Sequence, residues 1–318
     1  MPKIGIAAMG TSVPEKILTN SDLEKMVDTT DEWIVSRTGI RERHVLGPDE
    51  SLRPHVVRSA RTAMERAGVG PDDLDFIISS AMIPDRFCPA QSYEVAHDIG
   101  AKGIFCFDLN VACTGFVYAL GLAESLIKSR RLRCGLITAS EQMTTVTDYN
   151  DRATCVLFGD AASAAIVTTA EPSHRIIYTE LGATPEACED VVIGGLKDVL
   201  NDRQADLWFR QDGRKVFKFA LQKTREIYES VPPKAGLRPE DIKYVIPHQA
   251  NGRIIEGGAA AVHGKAEFIS VIDRYGNTSA ASIGLALHDS WDRFQPGDII
   301  MLLGFGGGMS WGATLLEW

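Results

Sequence analysis

Cys113, His248 and Asn277 are the side chains whose types and settings could carry a reaction. Cys113 follows a short apolar run, Phe105 to Leu109, and comes immediately before the uncharged stretch T-G-F-V-Y-A-L-G-L-A. A helix N-terminus presents unpaired N–H groups and the positive end of the macrodipole, which favours a thiolate and predicts a lowered pKa for Cys113. The alternative is simple packing, since free thiols are among the most buried groups. His248 ends the apolar run of V-I-P-H-Q-A-N, where open α/β sheets place their ligands, and Gln249 and Asn251 beside it suggest a cavity wall rather than a core. Asn277, between Gly276 and Thr278, could equally cap a helix or make a turn. G-F-G-G-G-M-S-W-G, Gly304 to Gly312, lacks the lysine and spacing of a phosphate loop. Its glycines allow close backbone approach, either to set an N–H against an oxyanion or to make a tight turn.

The elements that must position these residues come in two copies. A-G-V-G-P-D-D-L-D-F-I-I at 67–78 returns as A-G-L-R-P-E-D-I-K-Y-V-I at 235–246, each a helix stop at Gly68 or Gly236, a turn at Pro71 or Pro239, and a buried strand opening at Leu74 or Ile242. G-L-A-L-H-D-S-W after Asn277 likewise resembles G-L-A-E-S-L after Cys113. Two related halves packed about a pseudo-two-fold axis would bring matching loops together in one cleft. The expected division is 1–171, carrying Cys113, and 172–318, carrying His248 and Asn277.

Lys3 to Gly10 reads as a strand, Ser21-Asp22-Leu23-Glu24 as a capping box opening a short helix, and Pro54 to Ala67 as an amphipathic helix. Strands at 76–80, 105–109 and 134–140 alternate with helical patterns at 91–99 and 114–129, which implies βαβ crossovers and a mostly parallel sheet. Strands at 162–169 and 176–181 close the first half, and 186–212 reads as a loop region. The second half offers a helix at 215–230, a strand ending at Ile246, a helix from about Asn251, and strands at 268–271, 299–303 and 314–316.

The 318 residues carry a formal net charge of −9, which argues against wholesale nucleic-acid binding. The local basic clusters Arg37-Arg41-Arg43 and Arg214-Lys215-Lys218 read as solvated faces. Six scattered cysteines without C-x-x-C, and histidines without ligand spacing, predict free thiols in a reducing cytoplasm and no bound metal. The apolar start is short and followed at once by Pro14 and Glu15, so it reads as a strand rather than a signal peptide, and no run is long enough to span a membrane.

T-N-S-D-L-E-K-M-V-D-T-T-D-E-W-I-V-S-R-T-G-I-R-E-R, A-C-T-G-F, D-R-A-T, F-G-D-A-A-S-A, G-R-K-V-F-K, P-H-Q-A-N, Y-G-N-T-S-A-A-S and F-G-G-G together resemble the β-ketoacyl-acyl-carrier-protein synthase III family over nearly the whole chain. The resemblance implies a thiolase-like five-layer αβαβα fold of two pseudo-symmetric halves, a homodimer, and Cys113, His248 and Asn277 as the catalytic triad. It implies an initiating condensation in fatty-acid synthesis: acyl-CoA acylates Cys113, then malonyl-carrier protein loses CO2 and its carbanion attacks the acyl-cysteine. No cofactor is held permanently; acyl-CoA and the malonyl-loaded carrier protein are substrates, with no role for nucleic acid or membrane. The N–H groups of Cys113 and Gly307 would hold the oxyanion. Trp33, Arg37 and Arg152 would meet the nucleotide end of CoA, and Gly213, Ala250 and Asn251 would line the pantetheine tunnel. Arg253, Lys218 and Arg214 would dock the acidic carrier protein.

Several positions depart from the family's pattern. Cys88, before Pro89, stands where a large apolar residue often reaches the partner subunit's acyl pocket, which would leave room for a longer or branched acyl group. Ala161 and Ser163 replace glycines, and Ala153 stands where glycine is often found; these are expected to narrow or reshape the tunnel. Gly252, Gly257 and Gly258 occupy the helix after P-H-Q-A-N, and Val262 and His263 replace a basic pair found in some members. Rival readings are a condensing enzyme of secondary metabolism with an unusual acyl donor and, on the bare order Cys, His, Asn, a papain-like protease. Degradative thiolase is disfavoured because no cysteine follows Cys188.

Overall fold

The computed structural model describes residues 3–130, 132–171, 173–201 and 207–318. Its strands are β1 (Gly5–Ser12), β2 (Ile17–Thr19), β3 (Glu42–His44), β4 (Phe76–Ser80), β5 (Phe105–Leu109), β6 (Cys134–Gln142), β7 (Asp160–Thr168), β8 (His174–Ala183), β9 (Val191–Val192), β10 (Arg210–Gln211), β11 (Ile242–Pro247), β12 (Glu267–Phe268), β13 (Ile299–Gly306) and β14 (Ser310–Glu317). The helices are α1 (Asn20–Leu23), α2 (Asp31–Thr38), α3 (Arg53–Ala67), α4 (Gln91–Ile99), α5 (Gly115–Arg130), α6 (Leu196–Leu200), α7 (Gly213–Lys234), α8 (Gly252–Ala261), α9 (Ile272–Tyr275) and α10 (Ser282–Asp289).

Ten strands form one sheet in the order β12-β11-β13-β14-β8-β1-β7-β6-β4-β5. Its centre is a weak seam, because β1 and β8 share only Gly5↔Arg175 and Ile6↔His174. On each side the strand permutation is the same: first, fifth, fourth, second and third in chain order, reading outward from the seam. Alternating side chains bury both faces. Ala165 and Val167 of β7 pack with Phe116 and Leu120 of α5, whereas Ala162, Ala164 and Ile166 pack with Val56, Ala60 and Met64 of α3. On β13, Ile300 and Leu302 face the same central cluster, while Met301 and Leu303 meet Ala220, Ile227 and Val231 of α7. The two halves of the sheet, one on either side of the seam, enclose α5 and α10 and are covered outside by helices such as α3 and α7, which makes five layers. With both faces buried, β7 and β13 carry mostly apolar residues. The sheet is mixed rather than mostly parallel, β1–β7, β7–β6, β8–β14 and β14–β13 being antiparallel.

Gly68 and Gly236 take left-handed φ of 64° and 75° at the two helix stops, as the repeat requires. The capping box lies two residues earlier than the sequence predicts: Thr19 caps α1 and pairs reciprocally with Asp22, so Ser21 and Glu24 are not its members. The predicted strand at 268–271 ends at Phe268; the Ile269 N–H still donates to Val245 O of β11, but the Val271 N–H bonds to the Gln249 side chain instead of a neighbouring strand. Helix α7 runs to Lys234, past Pro232 and Pro233. The 186–212 region holds β9, α6 and β10 among its described residues.

Candidate active site

Cys113 sits in a tight turn, Ala112–Thr114, that links β5 to α5. The turn opens with Ala112 at φ 50°, a left-handed backbone that costs energy for any residue but glycine. Ser279 opens the equivalent turn before α10 with φ 49°. These turns meet at the centre of the molecule. A Cβ on Gly115 would fall on Ser80 Oγ and within 3.0 Å of Ala280 Cβ, so only glycine lets them approach. Gly306 makes a similar approach to Cys113, its would-be Cβ lying 2.9 Å from the Cys113 nitrogen.

His248 follows β11 directly, and its N–H donates to Leu303 O at 2.7 Å. Asn277 is held by its backbone: its N–H donates to Leu157 O at 2.8 Å and its carbonyl accepts from Gly159 N at 3.1 Å. Its side-chain Oδ1 accepts the Ser279 N–H at 2.9 Å, which leaves the amide NH2 as the free donor. All three side chains line one cavity, walled by Phe158, Val191, Phe209, Phe305 and Gly307.

Two further cavities extend from this centre. An outer one of about 530 Å³ contains Trp33, Arg37, Gly213, Arg214, Ala250, Asn251 and Arg253, and shares Asn277 and Ala250 with the central cavity. Arg152 does not line it but packs on Trp33, its guanidinium 5.0 Å from the centre of the ring. Beyond Cys113 a chamber of about 210 Å³ is lined by Met82, Met143, Val192, Ile193 and Phe209. Lys218 is exposed on α7, one turn beyond Arg214.

Burial dominates the electrostatics. It pushes the Cys113 thiol up to about 12, opposed by the Ser279 hydroxyl, which donates to Sγ at 3.3 Å. The direction is opposite to the lowering expected from the helix N-terminus, and its main cause is desolvation of the thiol. Burial likewise lowers His248 to about 3, so its imidazole is neutral at ordinary pH. Glu141, fully buried, is raised to about 8 and accepts the N–H groups of Met82 and Ile83. Among the described residues no cluster of three or more His, Cys, Asp or Glu side chains could hold a metal ion.

The structure brings the predicted triad and Gly307 to the central cavity, and Trp33, Arg37, Gly213, Arg214, Ala250, Asn251 and Arg253 to the outer one. Lys218 lines neither, and Cys88 is exposed and lines neither the central cavity nor the chamber of its own chain. Arg43 corrects another expectation. Far from facing solvent, it is fully buried and donates to Leu18 O, Asn20 Oδ1 and Val156 O, bracing the segment that holds Asn277. Ala161 and Ser163 are buried in β7 and do not touch the tunnel, whereas Ala153 does line it. Gly252 is required where α8 meets α2, its would-be Cβ lying 2.9 Å from Thr38 O, while Val262 and His263 fall beyond the end of α8. Sequence reasoning missed Ser279, Ser282, Val191 and Phe209. The two serines were visible in Y-G-N-T-S-A-A-S at three-residue spacing, one turn apart in the short helical segment that follows Asn277.

Residues 107–185 match the family model for 3-oxoacyl-(acyl-carrier-protein) synthase III, and residues 233–318 match the model for its C-terminal part. The β-ketoacyl-(acyl-carrier-protein) synthase III of Aquifex aeolicus is 40% identical over 320 residues, covering 99% of this chain and 100% of that one. The chain belongs to the 3-oxoacyl-(acyl-carrier-protein) synthase III family. Another family member, from a Roseiflexus species, is 41% identical over 97% of this chain and 96% of its own. The Aquifex aeolicus synthase III crystal structure superposes with a TM-score of 0.91 at 38% identity, covering 99% of this chain and 100% of that one. The priming β-ketosynthase of the R1128 polyketide pathway superposes with a TM-score of 0.92 at 31% identity, covering 100% and 98%. The fold is thus the thiolase-like architecture of synthase III enzymes, not that of a papain-like protease.

Proposed function

We propose that this chain performs the reaction of its synthase III relatives, a decarboxylative condensation of an acyl-CoA with malonyl-carrier protein that initiates fatty-acid synthesis. The observation that carries this reading is the convergence of Cys113, His248 and Asn277 on one cavity between a wide outer tunnel and an apolar inner chamber.

In the first step Cys113 Sγ bonds to the acyl carbon and the bond to the CoA sulfur breaks; the thiol proton ends on the departing CoA thiol. With the thiol pushed up to about 12, the thiolate forms during the reaction rather than standing ready. Backbone N–H groups of Cys113 and Gly307 are assigned to the oxyanion. In the second step CO2 leaves the malonyl group and negative charge gathers on its thioester oxygen, where donors from His248 and Asn277 act. The carbanion then bonds to the acyl carbon and Cys113 departs as thiolate, which takes up a proton.

Trp33, Arg37 and Arg152 suit the nucleotide end of CoA by ring face and charge, and Gly213, Ala250 and Asn251 suit the passage of pantetheine. Arg214 and Arg253, exposed and lining the outer cavity, with Lys218 exposed one turn beyond Arg214, suit an acidic carrier protein. Cys88 would reach only the site of a second copy in a homodimer, and the six unpaired cysteines favour a reducing, cytoplasmic setting.

Intact-mass measurement after mixing with acyl-CoA tests the first step, and release of CO2 and β-ketoacyl product from malonyl-carrier protein tests the second. Cys113→Ala should abolish both. Asn277→Ala should impair decarboxylation with acylation largely spared; equal loss of the two steps contradicts its assigned role.

A further inference from the structure

Ser282 is the first residue of α10 and is buried. Its Oγ lies 2.7 Å from His248 Nδ1 and accepts the backbone N–H of Gln249 at 3.3 Å. Those are its only side-chain hydrogen bonds among the described residues. Gln249 cannot swing away, because its side-chain amide donates to Pro247 O and Ile269 O and accepts from Val271 N. A backbone N–H only donates, so the bond from Gln249 occupies a lone pair of the serine oxygen. The hydroxyl hydrogen then has one acceptor within reach, an Nδ1 that carries no proton. With the proton on Nδ1 instead, the hydroxyl would accept twice and its own hydrogen would be stranded in a buried place, which native structures avoid. The imidazole is neutral and holds one proton, so that proton belongs on Nε2, the ring nitrogen opposite the Ser282 contact.

We propose that Ser282 is a positioning residue that fixes His248 as its Nε2–H tautomer, supplying the cavity with a hydrogen-bond donor and reserving this imidazole for charge stabilisation rather than for taking the Cys113 proton. The catalytic half of this statement rests on the condensing reading above, whereas the tautomer itself does not.

The test begins with full-length protein labelled with 15N-histidine and free of ligand, with His248→Gln serving to assign the resonances. Long-range proton–nitrogen correlation should show a protonated Nε2 and a bare Nδ1 for His248 from about pH 8 to about pH 6. The reverse pattern overturns the proposal. Ser282→Ala should mix the tautomers and slow malonyl decarboxylation by the acylated enzyme about tenfold, while acyl transfer from acyl-CoA to Cys113 changes less than about twofold. Ser282→Thr, which keeps the hydroxyl, should restore both the spectrum and the rate. An unchanged rate in Ser282→Ala, or equal loss of both steps, also overturns it. If Ser282→Ala does not fold, the wild-type spectrum and Ser282→Thr still decide. A wild-type protein that neither acylates at Cys113 nor releases CO2 sinks the condensing reading instead, and the tautomer is judged on the spectrum alone.

Discussion

Ser279 donates its hydroxyl hydrogen to the sulfur of Cys113 across 3.3 Å, joining residues 166 positions apart in the chain. The bond spans the two halves of the molecule, and strain sits on both sides of it: Ala112, just before the cysteine, and Ser279 itself are the non-glycine residues with left-handed φ among those described. Such backbone costs of order 1–3 kcal/mol each and persists only where the surroundings over-determine it. Here the central packing of α5 and α10 does so, with Gly115 allowing contact.

Loss of that donor should make the thiolate harder to form. Ser279→Ala is expected to shift the pH profile of Cys113 alkylation upward and to slow acyl-enzyme formation by about tenfold. An unchanged alkylation profile would show that the hydroxyl does not stabilise the sulfur anion.

His248 makes the protein acid-sensitive in a definite direction. Its folded pKa, lowered by burial to about 3, lies below the ordinary value of 6.5, so between those values the unfolded chain binds a proton that the folded chain refuses. Its contribution to stability is complete above about pH 6.5 and falls as pH drops through that window, by up to about 1.4 kcal/mol per pH unit. His174, lowered to about 4, acts in the same direction. Urea unfolding at several pH values should therefore show a shallower acid slope in His248→Gln than in the wild type. Parallel slopes would refute it.

Gly115→Ala should be among the most damaging single methyl additions in the chain. The new Cβ would fall on Ser80 Oγ and crowd Ala280, and overpacking of this kind costs about 1–3 kcal/mol or more. Chemical denaturation should show that loss, with part of it recovered in the double variant Gly115→Ala with Ser80→Gly. Full stability in the single variant would mean the two turns can separate freely.

The chamber beyond Cys113 should set acyl length from within this chain. Val192 lines it without being fully buried, so Val192→Phe fills space at little cost to packing. The ratio of octanoyl to acetyl transfer onto Cys113 should fall about tenfold. A ratio unmoved by this change would shift the selection to another surface, such as the Cys88 loop of a second copy.

Much of the architecture is local and was legible in the residues. The duplicated helix stop, turn and strand at 67–78 and 235–246 fixes two glycines in left-handed backbone and two buried strands, and these are settled by short-range sterics and apolar runs. The histidine could be singled out because it ends a strand, the cysteine because it follows one, and the asparagine because its segment matches the one around the cysteine. Where two local signals compete, the fold chooses. Thr19-x-x-Asp22 and Ser21-x-x-Glu24 are both plausible caps, and the first prevails where the Asn20 side chain is already committed to Asp31 and Ile40 O.

What the sequence determined by itself was the longer strands and helices and the duplicated turns between them, since propensity, periodicity and turn chemistry act over a few neighbours. Only the tertiary structure decided that Arg43 is buried, that Ser279 touches the sulfur, that Ser282 holds the imidazole, and that the Cys113 thiol sits high rather than low. Each of these depends on desolvation or on a hydrogen bond between residues far apart in the chain, and neither can be counted until the two halves have closed on one another.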